Sequence, residues 1–372
     1  MSVEVWLSSP SGARITHLDL VQELEYAQAL NNVGAIVVVL PADYDDLLSL
    51  DKIIELWIDG RFITVGFIRK VKYFDDEDGG ERTLITGYTP NYLLTSRIIA
   101  YAAGTAQADM SDYADDMLKE IVTDNLGGDA TGDRDISGLN FSVDDQLGDA
   151  PRITKGFAWR KLFDVCLDIC AASEENGTRL YFEVMPYWYA SEAIGFKFIT
   201  YINQPGADFG TDSGQPLYFG RAWGNLVKPE LEYDHSEEIT HVYAGGQGEG
   251  SDRLIEEVSD TDRAEASIWN YREGFADARN EKESAGIESK AYKVLNENAP
   301  LITLSGEIVE TGSRRWGLDW NLGDKVVVEH RGISTDAIIN SLRFKLLPDG
   351  SRSLTCGFKV VGALPGLGFT LL

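Results

Sequence analysis

Apolar and polar residues alternate with the period of a strand over long stretches of the chain, and the helical spacing of three and four takes over in only a few places. Ile53 to Ile58 and Arg61 to Phe74 are two such runs, separated by Asp59-Gly60, a pair suited to a type I′ turn in which both central residues take positive φ. Period two predicts Val65, Phe67, Val71 and Tyr73 on one face and Gly66, Lys70 and Lys72 on the other. Arg82 to Tyr88 adds a strand after the acidic stretch Asp75 to Gly80, and the unbroken apolar run Ala35 to Leu40 predicts a strand covered on both faces. Residues 1–100 therefore read as an N-terminal antiparallel β-barrel or sandwich.

From about Ala102 the period changes. Ala114, Met117, Leu118, Ile121 and Val122 lie on one helical face ended by Gly127-Gly128, and Trp159, Leu162, Phe163, Cys166 and Cys170 repeat that spacing up to Gly177. Strands at Arg179 to Met185 and Gly195 to Tyr201 follow, so residues 101–215 read as an α/β insertion. Residues 216–372 return to strand as a second β-barrel domain, with a helical insertion over 261–298 whose apolar face is Ile287, Ala291, Val294 and Leu295. The last part, Trp316 to Phe358, is a meander: Leu322-Gly323-Asp324 precedes the run Lys325 to His330, and Pro348-Asp349-Gly350 turns the final hairpin. The fold class expected is mainly β, with two tube-like antiparallel barrels, an α/β insertion and a few helices.

A chain of 372 residues suits two or three such domains, and 44% hydrophobic content places it among folded proteins. Charge alters the picture most. Sixty acidic against 33 basic residues, a net charge of −27, argues against wrapping nucleic acid while leaving room for DNA to slide past without sticking. Cys166, Cys170 and Cys356 have no metal-ligand or redox spacing and read as buried thiols. No stretch reaches membrane-spanning length, and the N-terminus lacks a basic region followed by an apolar one.

Candidate chemistry is sparse. Gly245-Gly-Gln-Gly-Glu-Gly250 has neither the Lys-Ser/Thr of a phosphate loop nor the third glycine of a dinucleotide fingerprint, and a strand-like run, Leu254 to Val258, follows it; a tight inter-strand connection is expected. The acidic stretches Asp75 to Gly80 and Asp124 to Asp135 offer oxygen ligands without the spacing of a calcium loop. No nucleophile elbow or HExxH occurs, and His17, His235, His241 and His330 are scattered, so no catalytic residue, metal or cofactor is assigned. Tyr187-Trp188-Tyr189 has the composition of a sugar platform, but packing is the reading that aromatic enrichment at interfaces favours.

Three short motifs carry a resemblance. The loop Gly246, Gln247, Gly248, Glu249, Gly250 with Arg253, the run Phe275-Ala-Asp277-Ala-Arg279, and the Trp316 to Asp324 entry with Gly323 together resemble the tail hub proteins of long-tailed bacteriophages, related in fold to the phage T4 baseplate hub. That resemblance implies a homotrimer at the tail tip whose paired β-barrels make a pseudo-hexameric ring. The ring joins the sixfold tube and distal tail protein to a threefold tip, beside the tape measure and tail-tip or fibre proteins. Viral DNA passes through its lumen without sequence-specific binding, an acidic lumen suits that passage, and assembly takes place in the host cytoplasm. The motifs above are expected to serve assembly. Because Gly362 to Leu372 follow the last strand as a short apolar tail, host binding and wall digestion are expected of other proteins. The alternatives are a carbohydrate-binding or glycan-hydrolysing tail accessory and the hub of a phage-derived gene-transfer or injection particle.

Overall fold

The computed structural model describes residues 2–361 apart from 45, 77–78, 101–107, 190–192, 280, 282 and 311–313; the apolar tail Gly362 to Leu372 lies outside the described residues. In chain order the first strands are β1 (Val3–Ser8), β2 (Arg14–His17), β3 (Glu23–Ala29), β4 (Ala35–Pro41), β5 (Ile53–Ile58), β6 (Arg61–Asp75) and β7 (Glu81–Tyr88), then helix α1 (Tyr92–Thr95). A mixed stretch holds β8 (Ala108–Tyr113), α2 (Ala114–Asn125), β9 (Phe141–Val143), β10 (Arg152–Phe157), α3 (Leu162–Glu175), β11 (Leu180–Tyr189) and β12 (Ala193–Ile202). The rest comprises β13 (Tyr218–Gly220), β14 (Leu226–Asp234), β15 (His241–Gly245), β16 (Ile255–Ser259), α4 (Thr261–Glu265), β17 (Glu273–Asp277), α5 (Ser284–Glu297), β18 (Leu301–Ile308), β19 (Lys325–His330), β20 (Ile333–Leu346) and β21 (Arg352–Val360). The protein is mostly β with few helices.

Two compact units result, one made of Met1–Pro229 with Ser305–Leu372, the other of Glu230–Leu304. In the first, the early and late β regions join: thirteen strands form one sheet in the order β14-β18-β21-β20-β3-β4-β7-β6-β5-β1-β2, with β19 also on β20 and β13 on β19. The junction is β20 against β3, antiparallel from Ser341↔Ala29 to Leu346↔Leu24. Leu24, Tyr26, Ile36, Val38, Leu342 and Phe344 bury one side of this region. The opposite side stays half-exposed at Ala35 and Val37, so the apolar run of β4 is fully covered on one face rather than two there.

Asp59 (φ 50°) and Gly60 (φ 71°) both take positive φ in the turn between β5 and β6, as the sequence requires. Within β6 the period of two fails. A bulge between Ile68 and Lys70 pairs Phe67 with Tyr88 and Lys70 with Thr86, which puts Phe67 on the face of Lys70 and moves Val71 and Tyr73 to the other. Arg69, the extra residue, turns to the Asp51 carboxylate.

The mixed stretch shares a core with the first strands: Met117, Leu118 and Ile121 of α2, Val165 and Ile169 of α3, and Phe182, Phe196 and Phe198 of the β11–β12 hairpin are buried with Ile53 and Val65. Trp159 lies outside α3, exposed and at φ 51°, because the helix starts only at Leu162. All three cysteines are buried and free, and burial pushes the Cys170 thiol up to about 12.

The expected helix over 261–298 is three elements. α4 is capped by the Asp260 side chain, which accepts from the Arg263 backbone N–H at 3.1 Å. A strand, β17, then runs parallel to β15 before α5 begins. Ala276 is buried there while its neighbours Phe275 and Asp277 are exposed, an alternation that a helix would not produce. β16, β15 and β17 form a three-stranded sheet, and Ile287 and Ala291 of α5 pack with Val242, Ala244, Val258 and Ala276 on one side of it.

Candidate functional site

The sequence motifs gather in two places, one in each unit. In the Glu230–Leu304 unit the glycine loop connects β15 to β16, closed by Gly246 N–H to the Leu254 carbonyl at 2.8 Å and Gln247 N–H to the Glu281 carbonyl at 2.9 Å. Glu249 accepts from the Asp252 N–H at 3.1 Å through its own carbonyl, forming a tight turn at the tip. Two of the glycines are required by geometry. Gly246 has Ile287 of the core where a Cβ would stand, and Gly248 has φ 114° with the Asp252 carbonyl equally close. Gly250, also at positive φ, faces open space.

Arg253 then reaches back along the loop. Its guanidinium donates to the carbonyls of Gly246 and Gly245 at 3.2 and 2.9 Å and to Asp277 Oδ1 at 3.3 Å, and lies 5.4 Å from the centre of the Phe275 ring. Arg279 Nε donates to both oxygens of Asp277 at 3.1 and 2.9 Å. Asp277 thus sits between two guanidinium groups. The bond from Arg279 holds its carboxyl below the usual carboxylate range. The structure therefore brings together two motifs, Gly246 to Arg253 and Phe275 to Arg279, that are separate in sequence.

The second place is interior. Asp324 is 4% exposed and accepts from two backbone donors, Ala207 N–H on Oδ1 at 2.7 Å and Asn321 N–H on Oδ2 at 2.7 Å. Burial pushes its carboxyl above the ordinary value, against the pull of those two bonds. Gly323, at φ 92°, donates to the Ile339 carbonyl at 2.8 Å, and its own carbonyl accepts from Gly206 N–H at 3.1 Å. The turn thereby ties residues 205–207 to the start of β19. Trp316 is buried, stacked on Tyr26 with ring centres 6.0 Å apart and tilted against Phe344 at 5.9 Å. These residues shape the unit from inside.

Other candidates resolve as structure. Trp188 of β11 lies 4.7 Å from the Arg14 guanidinium, which also covers Trp6 and Trp57, and Arg14 is paired with the fully buried Glu55 at 2.8 Å. In the stretch Asp124 to Asp135, Asp135 accepts from Ser137 N–H at 2.7 Å, and among the described residues no group of three ligating side chains gathers. Part of Asp75 to Gly80 lies outside the described residues. Sequence reasoning passed over Ile268, Trp269 and Tyr271, exposed apolar residues ahead of β17. The missed signal is an aromatic cluster immediately before Gly274, where no helical face could receive it.

Solved phage tail proteins share this overall fold. The tail protein from Neisseria meningitidis MC58 shares it at TM-score 0.57 and 13% identity, over 96% of this chain and 97% of that one. The 43 kDa tail protein of prophage MuSo2 from Shewanella oneidensis does so at TM-score 0.60 and 12% identity, over 96% and 98%. The E. coli c3393 protein, a type VI secretion component with structural similarity to T4 bacteriophage tail proteins gp27 and gp5, aligns at TM-score 0.50 and 12% identity, over 94% of this chain and 76% of its own. No curated protein matches the sequence. Residues 2–358 match the family described as Siphovirus ReqiPepy6 Gp37-like protein, and the chain belongs to that family. Its fold is hub-like and is shared with those phage tail proteins.

Proposed function

We propose that this protein is the tail-tip hub: three copies form a ring that joins the sixfold tail tube and distal tail protein to a threefold tip and surrounds the DNA exit channel. The observation that carries the reading is the junction of β20 with β3, which fuses an early and a late β region of one chain into a single sheet. Three chains, each bringing two β regions, supply the six-to-three adaptor that such a junction needs. The tape measure and tail-tip or fibre proteins are the neighbours this position implies, and the host cytoplasm is where it would assemble. The buried motif at Asp324 shapes the sheet, and the loop at Arg253 and Asp277 lies at the surface, where a partner can reach it. Gold-labelled antibody against the chain, imaged on intact particles, is expected at the tail tip. Label along the tube or on the head would overturn the assignment.

A further inference from the structure

Among the described residues, each unit leaves part of one sheet face open. In the Glu230–Leu304 unit, α5 packs on one side of β15, β16 and β17, while Tyr243 and Phe275, paired in register, stand on the other. Tyr271 joins them by stacking on His241 with ring centres 5.0 Å apart. Phe275 is 56% exposed, and Trp269 and Ile268 are 81% and 84% exposed. The segment bearing them is held: Asn270 N–H donates to the Ser267 carbonyl at 2.9 Å, and the Asn270 side chain donates to the Arg263 carbonyl at 3.0 Å. Parallel strand pairs such as β15 and β17 are normally covered on both faces, and aromatic residues beside arginine are the composition of an interface centre. The unit is also strongly acidic, with 18 acidic and seven basic residues between Glu230 and Leu304.

In the larger unit, the half-exposed side of β21, β20, β3 and β4 carries a group of short side chains. Ala27, Ala29, Ala35, Ser341, Thr355 and Gly357 line a depression of about 450 Å³. Basic residues flank it. Arg343 and Lys345 stand on β20, answered by Glu25 at 2.7 and 3.3 Å, and Lys70 and Lys72 project from β6 on the same face, opposite Thr86 and Leu84. In a chain of net charge −27 this is a local inversion of sign.

We propose that the aromatic face of the Glu230–Leu304 unit of one copy seats in the small-residue depression of the sheet of a second copy. The fit is of shape, large rings against alanine and glycine, and of charge, an acidic unit against a basic rim. The two surfaces differ, so the contact is head-to-tail and its repetition can close a ring. It rests on the ring reading above.

The test replaces Trp269 with a photoreactive benzophenone amino acid in the full chain and cross-links a mixture of light and heavy isotope-labelled copies. Cross-links between labels onto 23–35 or 341–357 are expected. Lys70→Glu with Lys345→Glu, and separately Trp269→Ala, should each weaken association at least tenfold while the thermal midpoint is kept. A trimer whose cross-links fall elsewhere, or within one copy, overturns the interface and leaves the ring intact. A single-chain mass at high concentration, with and without the distal tail partner, overturns both. If the double charge reversal abolishes retention of a short DNA duplex without altering assembly, the depression serves nucleic acid and the interface is overturned.

Discussion

The turn at Leu322-Gly323-Asp324 and the loop from Gly246 to Asp277 use the same materials, glycine at positive φ beside a carboxylate, and put them to opposite ends. Asp324 is closed off from water and held by backbone N–H groups, whereas the Asp277 side chain is 47% exposed and held by two arginines. The first arrangement fixes backbone against backbone. The second leaves a charged network facing outward, where its contribution to stability is small and it is free to meet a partner. Burial separates the two, and burial is set by strands distant in sequence.

The contrast can be broken most sharply at Trp316. Trp316→Ala should remove about 3–5 kcal/mol of stability, read as a lower denaturant midpoint, because the ring fills space between Tyr26 of the early β region and Phe344 of the late one. Asp324→Ala comes next, at about 2–3 kcal/mol, since it strands the buried N–H groups of Ala207 and Asn321. A loss below about 0.5 kcal/mol would place the turn with the surface motifs. Gly248→Ala should cost about 1–2 kcal/mol, because its φ of 114° disfavours a side chain and the Asp252 carbonyl occupies the place of the Cβ. Hydrogen exchange should then show faster opening of residues 246–254.

The smallest effects concern pH, and they differ in sign. The Asp277 carboxyl is depressed, so its contribution is present above the ordinary carboxylate pKa and is lost as pH falls through the folded value. The Asp324 carboxyl is raised, so whatever it contributes is present below the ordinary value and is lost as pH rises through the folded one. Carboxyl-carbon NMR titration should find Asp324 above and Asp277 below the ordinary range. The reverse order would undo the comparison.

Local signals carried much of the fold. Asp59-Gly60 announced its hairpin, the helical spacing located α2 and most of α3, and Gly350 turns at φ 77° where Pro348-Asp349-Gly350 predicts. The failures are where a distant partner decides. β17 lies in a segment rich in Glu, Asp and Arg, read from the sequence as helix, yet pairing with β15 makes Ala276 a strand residue. The Arg69 bulge exists because Lys70 must meet Thr86 across the sheet. Nothing near β3 announces β20 as its neighbour, since that pairing spans more than 300 residues. At the candidate site the glycine loop and the Phe275 to Arg279 motif were legible one by one, but their meeting at Asp277 was not, nor was the exposure of Trp269, because both depend on a strand assigned to helix.

The hub account stands or falls on how many copies associate. Light scattering on the purified full-length chain at high concentration, with and without its distal tail partner, measures this directly. The account predicts the mass of three chains, alone or with that partner. A single-chain mass under both conditions would contradict it.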